Sequence, residues 1–213
     1  MEDQRKNYFS QAYSTGADIW TLHDYREVIE PFVSRLPTGS LVLDLGSGRG
    51  RMDFLLAREG IKVIGLDYVP QIIEKNNMAV KMEGLENSLR FKVGDVLDVP
   101  FTDSSFDAVL DIGTLHHLKT SEWEEYISEI ARITKPDGLV LLIELSKNNT
   151  HYGPVNPKDS TTGDFLIHEM HYHFFTKEEL GTMFVKDFET IALVEQIMGE
   201  DKALRFVTVL RRK

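Results

Sequence analysis

The chain has 213 residues, of which 42% are hydrophobic and none is cysteine. This length and apolar content suit one soluble domain with a substantial core, and the lack of cysteine excludes disulfides and thiolate sites. The net charge of -10, with no basic block before the last three residues, predicts no nucleic-acid partner. No stretch approaches the roughly 20 apolar residues that span a bilayer, and no signal peptide is evident, so we expect a cytoplasmic protein without a membrane partner.

Strand-like and helix-like patterns alternate from residue 40 onward, which predicts stacked βαβ units around a mostly parallel sheet. The predicted strands are 41–45, 61–67, 89–93, 106–112, 138–144, 188–197 and 203–211. A short polar turn joins the last two, which predicts a closing antiparallel hairpin. Ser121 with Glu124, and Thr176 with Glu179, have the spacing of capping boxes and predict two helix starts.

The end of the first predicted strand carries the most informative motif, Asp44 followed by Gly46-x-Gly48-x-Gly50. Glycine adopts left-handed backbone angles freely and lets a ligand approach the main chain. The next strands also end in acids, at Asp67, Asp95 and Asp111. Because ligands of open α/β sheets bind at the carboxyl ends of the strands, these residues are expected to form one site.

The glycine spacing favours one cofactor over another. Dinucleotide enzymes tend to have Gly-x-Gly-x-x-Gly, whereas here the third glycine comes one residue early. Residues 40–145 resemble the class I S-adenosylmethionine-dependent methyltransferases. The matching motifs, in order, are Asp44–Gly50, Asp67, Gly94–Val96 and Lys135–Gly138. The resemblance implies a three-layer Rossmann-like methyltransferase fold, with a mostly parallel seven-stranded sheet and an antiparallel C-terminal strand.

The resemblance also implies how S-adenosylmethionine is held at its methionyl end. The turn that contacts the methionyl part corresponds to Gly46, Ser47, Gly48, Arg49 and Gly50. Asp44 is expected near the cofactor's ammonium group. Asp111 and Ile112 are expected to pass close to the same end.

The adenosine end of the cofactor is assigned to three further positions by the resemblance. Asp67 is expected to hold the ribose hydroxyls, and Tyr68 to border the adenine. Asp95 is expected to accept from the adenine amino group, while the backbone of Val96 donates to a ring nitrogen.

We expect the whole chain to form a single methyltransferase domain (1–213). Its expected parts are an N-terminal helical lid (1–39), a cofactor-binding core (40–145), a substrate loop (146–175) and a C-terminal helix with a β-hairpin (176–213).

Histidines supply the candidate chemistry on the acceptor side. His116, after the fourth strand, has the type of side chain that removes a proton from a hydroxyl or amine, although a helix-capping role is the alternative. The segment His168–His173 lacks the His-Glu-x-x-His spacing of metalloproteases, and we expect no metal site. Candidate substrate contacts are Trp20, His151, Tyr152 and His171.

Three functions remain open from the sequence. The first is methyl transfer from S-adenosylmethionine to a small-molecule acceptor. The second is a non-catalytic protein that binds S-adenosylmethionine and works as an assembly partner. The third is a nicotinamide-dependent oxidoreductase, since its fold and its acid after the second strand would look similar.

Overall fold

The computed structural model describes residues 2–213. Within this range the α-helices are α1 (Glu2–Thr15), α2 (Arg26–Val33), α3 (Arg51–Arg58), α4 (Pro70–Glu83), α5 (Trp123–Ile133) and α6 (Lys177–Thr182). The strands are β1 (Leu41–Leu45), β2 (Lys62–Asp67), β3 (Leu89–Val93), β4 (Phe106–Ile112), β5 (Thr134–Leu145), β6 (Asp164–Ile167), β7 (Met170–His173), β8 (Phe188–Met198) and β9 (Ala203–Arg212). Short 3-10 turns lie at Ile19–Leu22, Leu115–His117, Thr120–Glu122 and Pro157–Asp159.

The longer strands form one seven-stranded sheet in the order β3-β2-β1-β4-β5-β9-β8. Neighbouring strands from β3 to β5 pair in parallel, and β9 runs antiparallel to both β5 and β8. This topology confirms the predicted α/β, three-layer Rossmann-like fold and its antiparallel C-terminal strand. The strand order reverses between β1 and β4, which is where open α/β sheets bind their ligands.

Two apolar layers hold the sheet between its helices. Alternate strand residues point to opposite faces, so Val42 packs with residues of α2, α3 and α4, while Leu43 packs with residues of α5 and α6. Strands covered on both faces must be apolar almost throughout, which is why β1, β4 and β5 stand out as hydrophobic runs in the sequence.

Two predicted boundaries differ in the structure. The fifth strand begins at Thr134 rather than Gly138, because the Pro-Asp-Gly stretch forms an irregularity inside the strand, where Asp137 has φ 62°. The predicted capping box at Ser121 is wrong, since α5 begins at Trp123. Glu122, not Glu124, accepts the local hydrogen bond, from the backbone N–H of Lys119 at 2.7 Å.

The predicted loop 146–175 contains a β-hairpin that the sequence pattern did not reveal. Strands β6 and β7 pair antiparallel and are joined by His168 and Glu169, whose φ angles are 50° and 65°. Two-residue turns with two positive φ angles usually carry Asn-Gly or Asp-Gly, so His-Glu gives no turn signal. Tyr172 of β7 is buried and belongs to an apolar cluster with Leu145 and Phe174.

Helix α1 and the turn that follows it are fastened to the sheet by two arginines. Arg5 donates to the carboxylate of Glu122 at 2.9 Å and to the carbonyl oxygen of His117 at 3.2 Å. Arg49 donates to Asp18 at 2.7 Å and to the carbonyl oxygen of Tyr13 at 3.0 Å. Polar contacts therefore hold the N-terminal segment over the carboxyl edge of the sheet. No helix in residues 2–213 is long and apolar enough to cross a membrane.

We expect replacement of Thr176 by Ala to lower the free energy of unfolding by about 0.5–2 kcal/mol. The predicted capping box of α6 is present: Thr176 Oγ1 accepts from the backbone of Glu179 at 3.2 Å, and the Glu179 carboxylate accepts from the backbone of Thr176 at 2.7 Å. Urea denaturation measures the loss. Thr182→Ala in the same helix is the control, and an equal loss in both variants would contradict the cap.

Candidate active site

A cavity of about 740 Å³ opens at the carboxyl edge of the sheet. This is within the range of about 300–1,000 Å³ that is usual for small-molecule sites. Its lining residues come from α1 and the segment after it, the turns after β1, β2, β3 and β4, the loop after β5, the β6–β7 hairpin and the β8–β9 turn. The cavity thus spans the topological switch point and continues over β5 and β9.

The turn after β1 presents bare backbone to this cavity. Gly46 and Gly48 have φ angles of 69° and 51°, in the left-handed region that favours glycine. A Cβ atom on Gly46 would lie 2.0 Å from Thr114 Oγ1, and one on Gly48 would lie 2.8 Å from Tyr13 Oη. No side chain fits at either position, so the main chain is free to contact a ligand.

Asp67 connects the glycine turn to the end of β2. One carboxylate oxygen accepts from the backbone N–H of Gly48 at 3.0 Å, and the other accepts from that of Val69 at 2.9 Å. Burial nevertheless raises the pKa of Asp67 to about 6. The two backbone donors stabilise the charged carboxylate, but they offset only part of the cost of removing it from water.

Further carboxyl groups are buried beside Asp67 without a cation. Burial, together with Asp53, raises the pKa of Asp44 well above its ordinary value, and burial raises the pKa of Asp53 to about 7. No amide, hydroxyl or cationic group in residues 2–213 donates a hydrogen bond to Asp44 Oδ1. The floor of the cavity therefore concentrates acidic groups in a low-dielectric environment, where burial favours their protonated forms.

These acidic groups suit a cationic ligand. A positive group near Asp44 would stabilise the ionised carboxylates and would satisfy the unpartnered oxygen. S-Adenosylmethionine fits, because its sulfonium and ammonium charges outweigh its single carboxylate. A nicotinamide dinucleotide fits less well, since its pyrophosphate would face the same carboxylates.

Most of the predicted cofactor residues line the cavity. They are Asp44, Gly46, Ser47, Gly48, Arg49, Asp67, Tyr68, Asp95, Val96 and Ile112. The structure puts Gly50 and Asp111 behind the cavity wall. A Cβ atom on Gly50 would lie 2.3 Å from the ring of Phe91, and Asp111 is fully buried. Arg49 lines the cavity, but its guanidinium group is bound to Asp18.

Aromatic side chains form a large part of the cavity wall. Trp20, His151 and Tyr152, which were predicted to contact substrate, line it together with Tyr8 and Tyr172. The ring of Tyr172 lies 4.5 Å from that of His117 and 5.9 Å from that of Tyr152. Flat apolar walls of this kind suit a planar ligand.

His171 is not brought to the cavity wall. Its Nε2 lies 3.1 Å from Asp164 Oδ1, and its carbonyl oxygen accepts from Nδ1 of His117 at 3.0 Å. His173 bonds the same Asp164 oxygen at 2.8 Å. These contacts tie β7 to β6 and to the residues after β4. Residues 2–213 contain no group of three or more His, Asp or Glu side chains arranged to hold a metal ion.

His116 lies in the cavity wall and is held by Glu144 at the end of β5. Its Nδ1 is 2.7 Å from Glu144 Oε2, and its backbone N–H donates to the same oxygen at 3.2 Å. Burial lowers the pKa of His116 to about 3, so the imidazole is neutral at pH 7. A neutral ring at the boundary between the acidic floor and the aromatic wall is placed to accept a proton.

The sequence analysis missed Glu144 and Arg205. Glu144 ends a predicted strand, as Asp67 and Asp95 do, so the same signal could have found it. Arg205 lines the cavity from β9 and binds Asp201 through two hydrogen bonds, of 2.8 and 2.6 Å. Nothing in its local sequence distinguishes it from an exposed strand arginine.

Comparisons with known proteins agree with this geometry. Residues 43–142 match the family model described as a methyltransferase domain. A solved structure of a SAM-dependent methyltransferase from Methanosarcina mazei is 26% identical, with a TM-score of 0.74, and the match covers 89% of this chain and 98% of that protein. The chain as a whole thus shares its fold with a SAM-dependent methyltransferase, and residues 43–142 resemble a methyltransferase domain.

Two other methyltransferases show the range of similarity. The demethylmenaquinone methyltransferase of Lactobacillus johnsonii is 28% identical over 158 residues, which is 73% of this chain and 58% of that protein. The chain thus spans little more than half the length of this relative. The Burkholderia thailandensis 1,6-didemethyltoxoflavin-N1-methyltransferase, solved with 1,6-didemethyltoxoflavin and S-adenosylhomocysteine, has a TM-score of 0.79 at 21% identity, over 100% of this chain and 88% of that one. At that identity the likeness shows the fold alone.

We expect Asp67→Asn to raise the dissociation constant of S-adenosylhomocysteine about tenfold or more, because an amide nitrogen cannot accept from Gly48 or Val69 and one charge-assisted hydrogen bond is lost. Isothermal titration calorimetry measures the change. Asp103→Asn is the matched control, since that side chain is 77% exposed and away from the cavity. An unchanged constant in Asp67→Asn would contradict the role of this carboxylate.

Binding of S-adenosylmethionine is expected to release protons between about pH 5 and pH 8. The carboxyl groups of Asp67 and Asp53, with pKa about 6 and about 7, are partly protonated in this window, and a bound cation lowers both pKa values. Affinity should therefore rise with pH. Calorimetry in two buffers of different ionisation enthalpy counts the protons. The Asp53→Asn variant should release fewer protons on binding. Net proton uptake by the unmodified protein would contradict the proposed effect of the bound cation on these carboxyl groups.

Proposed function

We propose that this protein transfers the methyl group of S-adenosylmethionine to a small planar acceptor. One observation carries the proposal: the acidic glycine turn and the aromatic side chains line one continuous cavity, and His116 lies in its wall. A site that only stored the cofactor would not need an aromatic wall of this kind. The acceptor would bind there, against Tyr172 and Tyr152.

S-Adenosylmethionine, when bound, supplies an electrophilic methyl group on a sulfonium sulfur that keeps the bonding electron pair. The protein's part is to bind, orient and exclude water. We propose that Asp44 and the Gly46–Gly50 backbone hold the methionyl end, and that Asp67, Tyr68, Asp95 and Val96 hold the adenosine end. Holding two reactants in line can be worth about 7–11 kcal/mol of the barrier.

The acceptor class follows from the shape and charge of the aromatic wall. The ring of His116 lies 5.7 Å from that of Tyr172 and nearly parallel to it, at 12°. A flat ring against the same wall could present a hydroxyl or a ring nitrogen to the methyl group. The names of the relatives fit this class: one acts on demethylmenaquinone, and another on N1 of 1,6-didemethyltoxoflavin.

His116 is proposed as the general base, because its neutral imidazole lines the cavity and no described group hydrogen bonds to its Nε2. We also propose that residues 1–39 act as a lid, and that residues 146–175, through His151 and Tyr152, select the acceptor. A small-molecule partner, rather than nucleic acid or a membrane, and a cytoplasmic location complete the proposal. The net charge of -10 supports the exclusion of nucleic acid.

We expect S-adenosylhomocysteine to accumulate when the protein is incubated with S-adenosylmethionine and a panel of hydroquinones, phenols and heteroaromatic N–H compounds. His116→Gln should lower kcat for the best acceptor about 100-fold or more, with the dissociation constant of S-adenosylhomocysteine nearly unchanged. Chromatographic detection of S-adenosylhomocysteine is the measurement, and a reaction without acceptor is the control. Tight cofactor binding without turnover on any compound of the panel would favour the non-catalytic binding protein.

A further inference from the structure

We propose that Glu144 is a positioning residue, which holds His116 in the tautomer whose Nε2 lone pair accepts a proton from the methyl acceptor. The inference rests on the proposed function and adds to it a residue from a different strand. Glu144 lies near the end of β5, is fully buried, and does not itself line the cavity. It therefore acts through His116 and not on the acceptor directly.

Glu144 fixes both the position and the tautomer of the imidazole. Its Oε2 atom accepts two hydrogen bonds from the same residue, from Nδ1 at 2.7 Å and from the backbone N–H at 3.2 Å. A carboxylate oxygen that accepts from Nδ1 requires the proton on Nδ1, which leaves Nε2 unprotonated. The near-parallel ring of Tyr172 restrains the imidazole from the side of β7.

Behind Glu144 the network continues into the core. The charge of Glu144 acts on Asp111, which accepts from the hydroxyl of Tyr126 at 2.5 Å and from the backbone of Thr114 at 2.7 Å. Two buried carboxyl groups that interact this closely resist being ionised together, so at most one of them carries a charge. Burial raises the pKa of both acids, that of Glu144 to about 8.

A negative charge on Glu144, whose Oε2 lies 2.7 Å from Nδ1, would stabilise the imidazolium that forms when Nε2 takes up a proton. Besides Glu144, the groups that act on His116 are the imidazoles of His117, His171 and His173 and the guanidinium of Arg205 from β9. Burial, Arg205, His171 and His173 disfavour the imidazolium, and Glu144 at Nδ1 is the group placed to favour it. In the proposed step, the acceptor oxygen or nitrogen bonds to the methyl carbon, the sulfur keeps the bonding pair, and the acceptor's proton goes to Nε2.

Nuclear magnetic resonance of ¹⁵N-histidine-labelled protein tests the tautomer without acceptor or cofactor. At pH 7 we expect His116, assigned from the loss of its signals in His116→Gln, to show a protonated Nδ1 and an unprotonated Nε2. In Glu144→Gln the amide can donate to Nδ1, so the Nε2-protonated form should appear. Glu129→Gln in α5, which removes a carboxylate bound to Val99 and Arg132, is the matched control and should keep the native tautomer.

A second test of the role of Glu144 measures turnover kinetics with the best acceptor. Glu144→Gln should lower kcat about 100-fold and shift the pH dependence of kcat, while the dissociation constant of S-adenosylhomocysteine stays within about twofold. A protonated Nε2 in the unmodified protein would overturn the proposal, whether or not the variant folds. So would a Glu144→Gln variant with the native tautomer and an unshifted pH profile. If no compound of the panel is methylated, that result counts against the proposed function. The tautomer of His116 would then decide the role of Glu144 alone.

Discussion

Carboxyl groups at the ends of β1, β2, β4 and β5 are buried at one edge of the sheet, where no described lysine or arginine pairs with them. Two of them are each stabilised by two backbone N–H groups instead. Asp67 is held by Gly48 and Val69, and Asp111 by Thr114 and Leu115. Each acid therefore shapes the turn that follows a strand and also sets the local potential. The glycine turn, the cofactor preference and the state of His116 all depend on this arrangement.

Strand β4 joins the two halves of the site. Its neighbour β1 carries Asp44 beside the glycine turn, and its other neighbour β5 carries Glu144 behind His116. Asp111, in β4 itself, interacts electrostatically with Glu144. Because the strands are parallel and in fixed register, a few residues at their ends define both compartments and the distance between them. Loops of quite different sequence could then change the acceptor without disturbing the cofactor half.

How much the sequence could predict depends on the range of each contact. The strands were predictable because burial on both faces demands apolar runs. Asp44, Asp67 and Asp95 were predictable as residues of the cavity, because an acid that ends such a run has few structural uses. The β6–β7 hairpin was not predictable, since its His168-Glu169 turn carries none of the residues that usually indicate a hairpin turn. Contacts such as that of Glu144 with His116, 28 residues apart, leave no local pattern and required the fold.

The burial of the Tyr126–Asp111–Glu144 network has a consequence for turnover. These side chains are fully buried and extend into the core, so they do not form a proton-transfer path to bulk water. A proton that reaches His116 in the proposed reaction can leave only by the way the acceptor came. Each catalytic cycle would then need the cavity to open to solvent before the histidine is ready again, which would couple proton departure to product departure. The arginines that fasten α1 over the cavity would in that case help to set the pace of recycling.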